Sequence, residues 1–222
     1  MVGWRAMRMD QAAASRPMWP GAALALVSCL LLVGLSMLLV DRAWSTWSYT
    51  HLHGIRAFVW LTWIVDPLPP LAAIGLVGAG AAAAAGWRPG PRGAILLAAC
   101  LATVAVIVLK DQLKFVFGRT WPETWINHNP SWIGSGRFGF QPFHGGQGWA
   151  SFPSGHTSVI AAPMAVLWRM LPRWRWLWGV PLALVVIGLL GADYHWVSDV
   201  IAGIYLGFAV GFGLAGLMAT HR

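Results

Sequence analysis

Apolar positions gather into long runs separated by short polar stretches. Six runs, at about 20–40, 69–87, 93–114, 155–171, 177–193 and 196–218, are long enough to cross roughly 30 Å of hydrocarbon. A further stretch, 55–65, reads "IRAFVWLTWIV"; it is too short to cross and is ended by Asp66 and Pro67, which predicts an interfacial or re-entrant piece. The pattern predicts an all-α fold, a polytopic membrane helix bundle of about six transmembrane helices. It forms one domain over 1–222, with one long connection at about 115–154. The opening "MVGWRAMRMDQAAASRPMWP" precedes the first run without a convincing cleavage site, so a retained first span is expected rather than a signal peptide.

Composition agrees with a bilayer as the solvent. Of 222 residues, 58% are hydrophobic and only 10% charged, against about a quarter charged in soluble domains. The formal charge of +8 does not imply nucleic acid, because the arginines lie between apolar runs and form no basic face. Cys29 and Cys100 fall inside apolar runs without paired spacing or a nearby His, so neither a disulfide framework nor a zinc site is expected. They read as small core residues.

The charges also predict orientation. Lys and Arg accumulate in short cytoplasmic loops. With six spans and the N-terminus inside, Arg5, Arg8, Arg16, Arg88, Arg92, Arg169, Arg173, Arg175 and Arg222 are cytoplasmic, nine of 15 basic residues. All acidic residues except Asp10 then fall outside. The connection 115–154 is extracytoplasmic, and its Trp121, Trp125, Trp132 and Trp149 suit the water interface.

Under this topology three distant segments bring polar residues to one membrane depth, where ionisable groups are costly and are candidates for function. In "PSGH", Pro153 suits a helix entry, Ser154 an N-cap, and Gly155 a close approach of ligand to backbone. A helix start of this kind favours an anion such as phosphate, and His156 stands beside it. In "DYHWVSD", His195 and Asp199 are four apart and share a helical face, so the carboxylate can orient the imidazole for nucleophilic or base chemistry. In "LKDQLKFVFGRTWP", Lys110 and Lys114 share a face and Arg119 follows a short turn later, three cations suited to phosphoryl oxygens. Taken singly, PSGH is also a helix cap, the lysines also snorkel at a span end, and Asp111 also partners Lys114. The remaining histidines, His51, His53, His128, His144 and His221, read as interfacial or loop residues. Neither a carboxylate cluster nor a Cys/His spacing predicts a metal or another cofactor.

Over about 110–207 the chain resembles the type 2 phosphatidic acid phosphatase superfamily, whose pattern is KxxxxxxRP, then PSGH, then SRxxxxxHxxxD. Pro153, Ser154, Gly155 and His156 match the middle motif in full; His195 and Asp199 match the last, followed by "VIAG". Two positions depart. The arginine expected seven residues after Lys114 is Trp121, although Pro122 follows it, and the Ser-Arg pair before His195 is Gly188-Leu189. The departures remove two guanidinium groups, each contact worth about 1.5–3 kcal/mol, for which Arg119, Lys110 or Arg137 are candidate replacements.

The resemblance implies metal-independent hydrolysis of a membrane lipid phosphate or diphosphate through a phosphohistidine. His195 is the implied nucleophile, Asp199 its orienting partner and His156 the acid and base; Lys114, Arg119, Ser154 and Gly155 hold the phosphate. The implied setting is the cytoplasmic membrane, with the site facing the periplasm or cell exterior and substrate tails remaining in the bilayer. Alternatives are a phosphotransferase that moves the phosphoryl group between lipids, and a catalytically silent lipid-binding protein.

Overall fold

The computed structural model describes residues 19–220. The predicted placements of Arg5, Arg8, Asp10, Arg16, His221 and Arg222 lie outside the described residues. The chain is a membrane helix bundle. Helix α1 (Trp19–Leu39) is the first apolar run, and a short polar helix, α2 (Asp41–Leu52), follows it. Next come α3 (Arg56–Thr62), a 3-10 turn at Trp63–Val65, and α4 (Leu68–Ala84). Then α5 (Pro91–Phe117) leads into a long connecting segment that contains the single-turn α6 (Trp132–Ser135). The chain ends in α7 (Gly155–Met170), α8 (Arg175–Gly191) and α9 (Val197–Thr220).

Among the described residues, five helical stretches are long and apolar enough to cross a membrane: Gly21–Leu39, Arg56–Ala84, Pro91–Phe117, Pro172–Gly191 and Val197–Met218. Two details differ from the sequence expectation. The piece at 55–65 does not stop at Asp66 but runs on into α4 as one 29-residue helical stretch. Pro67, Pro69 and Pro70 have no N–H to donate, so the hydrogen-bond ladder lapses there. It tightens through the 3-10 turn and resumes where Leu71 N–H reaches the Pro67 carbonyl at 3.1 Å. The run expected at 155–171 forms α7, a 16-residue helix. At 1.5 Å per residue it is only about 24 Å long, and it lies in the interior, packed by α5, α8 and α9.

Small residues set the closeness of that packing. A Cβ on Gly203, Gly207 or Gly211 of α9 would stand 2.8 Å from the Ser154 carbonyl oxygen, 2.5 Å from Ala161 Cβ and 2.3 Å from the Ala162 carbonyl oxygen respectively. Recurring every four residues, these glycines form one face that lets two backbones touch, as small residues do in membrane bundles. The helix that begins with PSGH is thereby seated against the helix that carries Asp199. On α8, Gly188 and Gly191 admit α3 in the same way; a Cβ there would meet Phe58 at 2.7 and 2.3 Å. Ala98, Ala102, Val106, Ile160, Val166 and Val185 fill the centre. Leu24, Leu31, Leu38, Ile74 and Val77 are exposed on α1 and α4, as apolar side chains facing lipid tails are.

The segment between α5 and α7 is fastened to the helix ends. Gly118, left-handed at φ 56°, ends α5. Isolated bridges pair Arg119 with Phe140 and with Ala150, the Ser151 amide donates to the Arg119 carbonyl at 3.2 Å, and Trp196 Nε1 donates to the Thr120 carbonyl at 2.7 Å.

Candidate active site

Three sequence segments meet where α5 ends and α7 and α9 begin. Lys114 occupies the last turn of α5. Ser154 caps α7, its Oγ accepting from the Thr157 amide at 3.4 Å and from Thr157 Oγ1 at 3.0 Å. Its own amide donates to the Asp199 carbonyl at 3.1 Å, which ties the PSGH segment directly to the HxxxD segment. His195 lies in the turn before α9, and Asp199 in its first turn.

His195 Nδ1 lies 3.2 Å from Asp199 Oδ2, so Nε2 is the ring nitrogen left for a substrate. The His156 and His195 ring centroids are 6.5 Å apart, and both rings line one cavity. Burial holds the His195 pKa below its ordinary value; Asp199 opposes this, and Lys114 and Arg119 add to it. The shift favours the neutral imidazole.

A cavity of about 830 Å³ opens on this pair. Lys110, Lys114, Gly155, His156, His195 and Trp121 line its polar end, and Val65, Pro69, Ile107 and Val159 form an apolar wall. An added Cβ on Gly155 would sit 3.4 Å from Lys110 Cδ and 3.6 Å from Lys114 Cε. Two lysine stems thus cross the helix start that carries the anion-favouring amides. Lys114 Nζ donates to the Ala150 carbonyl and lies 5.5 Å from the Trp121 ring centroid, while Lys110 Nζ pairs with Asp111 at 2.5 Å.

The two departures from the motif have become apolar. Trp121 is buried in the cavity wall, its Nε1 donating to the Gln147 carbonyl at 2.7 Å. Leu189 is fully buried in the central core. Of the cations expected at the phosphate, Arg119 is absent from the cavity lining, and its side chain is fully buried behind it. Its Nη1 lies 2.5 Å from Asp199 Oδ1 and 2.6 Å from Ser198 Oγ, and its Nη2 2.7 Å from Asp41 Oδ2. Phe138, Phe140, Phe152 and Trp196 surround the guanidinium, with ring centroids 5.0–5.9 Å away. The guanidinium is held there by two buried carboxylates of opposite charge and by the Ser198 hydroxyl. Ser154 is also fully buried and outside the cavity lining. Arg137 is exposed and lines a different, smaller depression.

Three groups that the sequence reading passed over complete the site. Ser151 Oγ donates to Asp199 Oδ2 at 2.5 Å. Ser198 Oγ accepts from Arg119 Nη1, the nitrogen that also meets Asp199, and Asp41 accepts from Nη2. Asp41 did carry a signal, an ionisable residue at the end of an apolar run. Among the described residues, no group of three or more His, Cys, Asp or Glu side chains is arranged to hold a metal ion.

Comparison with known proteins points to one family. The sequence model of the PAP2 superfamily matches residues 94–222. Over 108 residues the chain is 32% identical to a lipid A 1-phosphatase of Rhizobium johnstonii, covering 45% of this chain and 38% of that protein. Over 110 residues it is 29% identical to an undecaprenyl-diphosphatase of Sulfolobus acidocaldarius, covering 49% and 48% respectively. The matched region thus spans less than half the length of these curated relatives. A PAP2-type phosphatidylglycerolphosphate phosphatase from Bacillus subtilis covers 88% of this chain and 96% of its own, at 21% identity and a TM-score of 0.46.

Proposed function

The chain belongs to the PAP2 superfamily, and from that premise we propose that it is a membrane phosphatase that hydrolyses a lipid phosphate or diphosphate through a phosphohistidine on His195. The observation that carries this reading is the His195–Asp199 pair, 3.2 Å apart, in a cavity that His156, Lys110 and Lys114 also line.

The steps follow from the chemistry of those groups. His195 Nε2 attacks phosphorus while Asp199 accepts the Nδ1 hydrogen bond and stabilises the imidazole as it becomes positive. The bond from phosphorus to the lipid oxygen breaks, and His156 gives that oxygen a proton. Water then attacks the phosphohistidine and yields its proton to His156. The P–N bond breaks with its electron pair returning to Nε2, and inorganic phosphate leaves. Lys114, Lys110 and the free amides at the start of α7 hold the phosphoryl oxygens, where positioning and charge supply most of the rate. Lys110 takes over part of the work of the two missing arginines, whereas Arg119 acts from behind Asp199. The substrate keeps its tail against Ile107, Val159 and the neighbouring bilayer.

The reaction belongs to the outer face of the cytoplasmic membrane. Arg92 and Lys114 stand at opposite ends of α5, and His156 and Arg169 at opposite ends of α7. The basic connections therefore lie at the other end of the bundle from the site, and basic connections favour the cytoplasm.

The test is phosphate release in detergent from phosphatidic acid, phosphatidylglycerol phosphate, undecaprenyl diphosphate and lipid A, with His195→Ala alongside. Release from at least one substrate, abolished in the variant, insensitive to EDTA and inhibited by vanadate, is expected. Silence across the panel, or loss with EDTA restored by magnesium, overturns the reading.

A further inference from the structure

Asp41 lies outside every motif of the family pattern, at the start of α2, yet it is joined to Asp199, the partner of His195, through one residue. Asp41 Oδ2 lies 2.7 Å from Arg119 Nη2, and Arg119 Nη1 lies 2.5 Å from Asp199 Oδ1. Ser198 links the same groups, its amide donating to Asp41 Oδ1 at 3.0 Å and its Oγ lying 2.5 Å from Asp41 Oδ2. Ser36 Oγ donates to Asp41 Oδ1 at 3.0 Å. Every member of this chain is buried.

We propose that Asp41 is a positioning residue for the reaction, a second carboxylate that grips and neutralises Arg119 so that Asp199 keeps its negative charge towards His195. The inference rests on the phosphohistidine reading above.

The argument is one of charge in a low dielectric. Asp199 must stabilise an imidazole that becomes positive, but Arg119, at 2.5 Å, cancels its charge. With Asp41 included, the buried trio of two carboxylates and one guanidinium carries a net −1. The groups facing His195 are Asp199 from α9, Lys114 from α5, His156 from α7 and Arg119 from the connecting segment. Without Asp41 two cations stand against one carboxylate; with it the two signs balance. A hydroxyl or amide at 41 could hold the fold together but could not supply that balance.

The test uses the full-length protein in detergent and the panel lipid that the wild type hydrolyses fastest. Asp41→Asn takes the trio from −1 to zero, and Asp41→Asn with Arg119→Gln returns it to −1. In Asp41→Asn, kcat is expected to fall about tenfold or more with KM nearly constant. The acid limb of the kcat/KM profile should move to lower pH, because the His195 imidazolium has lost a counter-charge. In the double variant that limb should return towards its wild-type position. An unmoved acid limb in Asp41→Asn overturns the inference, as does a double variant whose limb stays displaced. Should Asp41→Asn fail to fold, the double variant's limb decides; failure of both to fold also overturns it, since Asp41 would then serve the fold alone. A wild type silent on all the lipids refutes the phosphatase reading instead.

Discussion

The Trp121 indole packs against the His195 imidazole with ring centroids 4.9 Å apart and planes inclined by 48°. Its ring also receives Lys114 Nζ, 5.5 Å from the centroid. A position that holds an arginine in the family pattern has thus become an aromatic wall that touches both His195 and Lys114.

That contact has a measurable consequence. Trp121→Ala removes the ring against His195 and the surface on which Lys114 rests, each contact worth about 0.5–1.5 kcal/mol. The expected result is a fall in kcat/KM of about tenfold, for about 1.4 kcal/mol. Trp121→Phe keeps a ring, loses the bond to Gln147 and should retain most of the activity. Steady-state kinetics on the preferred lipid checks this; wild-type kcat/KM in Trp121→Ala would refute a role for the wall.

Arg119 is expected to matter for stability as well as rate. Its guanidinium bridges two buried carboxylates, and removing one partner of a buried pair costs about 3–5 kcal/mol because the remaining charge is stranded. Arg119→Ala should therefore lower the melting midpoint in detergent by many degrees. Arg119→Lys, which keeps the charge but not the fork, should fall between. Wild-type melting in both variants, with only phosphate affinity lost, would return Arg119 to the cavity as a clamp.

The helices and the meeting of His156, His195 and Asp199 are legible because their signals are local. Apolar runs gave the spans, Ser154 and Gly155 gave a helix start, and the four-residue spacing of His195 and Asp199 gave a shared face. Other features depended on contacts that no spacing records. Arg119 follows Lys114 by five residues and so resembles a second clamp, but its guanidinium is held by Asp199 and by Asp41, 78 residues away in sequence. The run 55–65 is followed by Asp66 and Pro67, which read as a stop. A 3-10 turn carries the backbone past them, and Gly188 and Gly191 seat that stretch against α8.

The orientation in the membrane can be tested at Ser135, an exposed residue in the segment between α5 and α7. A cysteine at 135, in a protein lacking Cys29 and Cys100, is expected to react with an impermeant thiol reagent in intact cells. Labelling only after lysis would reverse the orientation and put the site on the cytoplasmic side.

The turn that carries His195 holds a second buried acid. Asp193 adopts φ 53°, a left-handed conformation that Asp and Asn tolerate better than most residues. Ser45 Oγ donates to its Oδ2 at 2.9 Å, while its Oδ1 is buried without a hydrogen-bond partner. Burial raises its pKa to about 8; the Ser45 bond works against this, and the charge of Glu123 adds to it. In the unfolded chain the group ionises near pH 4. Between these values the folded state holds a proton that the unfolded state has released. Its contribution to stability is therefore full below about pH 4 and is lost progressively as pH rises towards 8. Asp193→Asn keeps the shape and the left-handed turn but cannot ionise. Melting midpoints in detergent from pH 5 to 9 should fall with pH more steeply for the wild type than for the variant, with the gap widening up to about pH 8. Parallel curves would mean that Asp193 is already ionised in the folded protein.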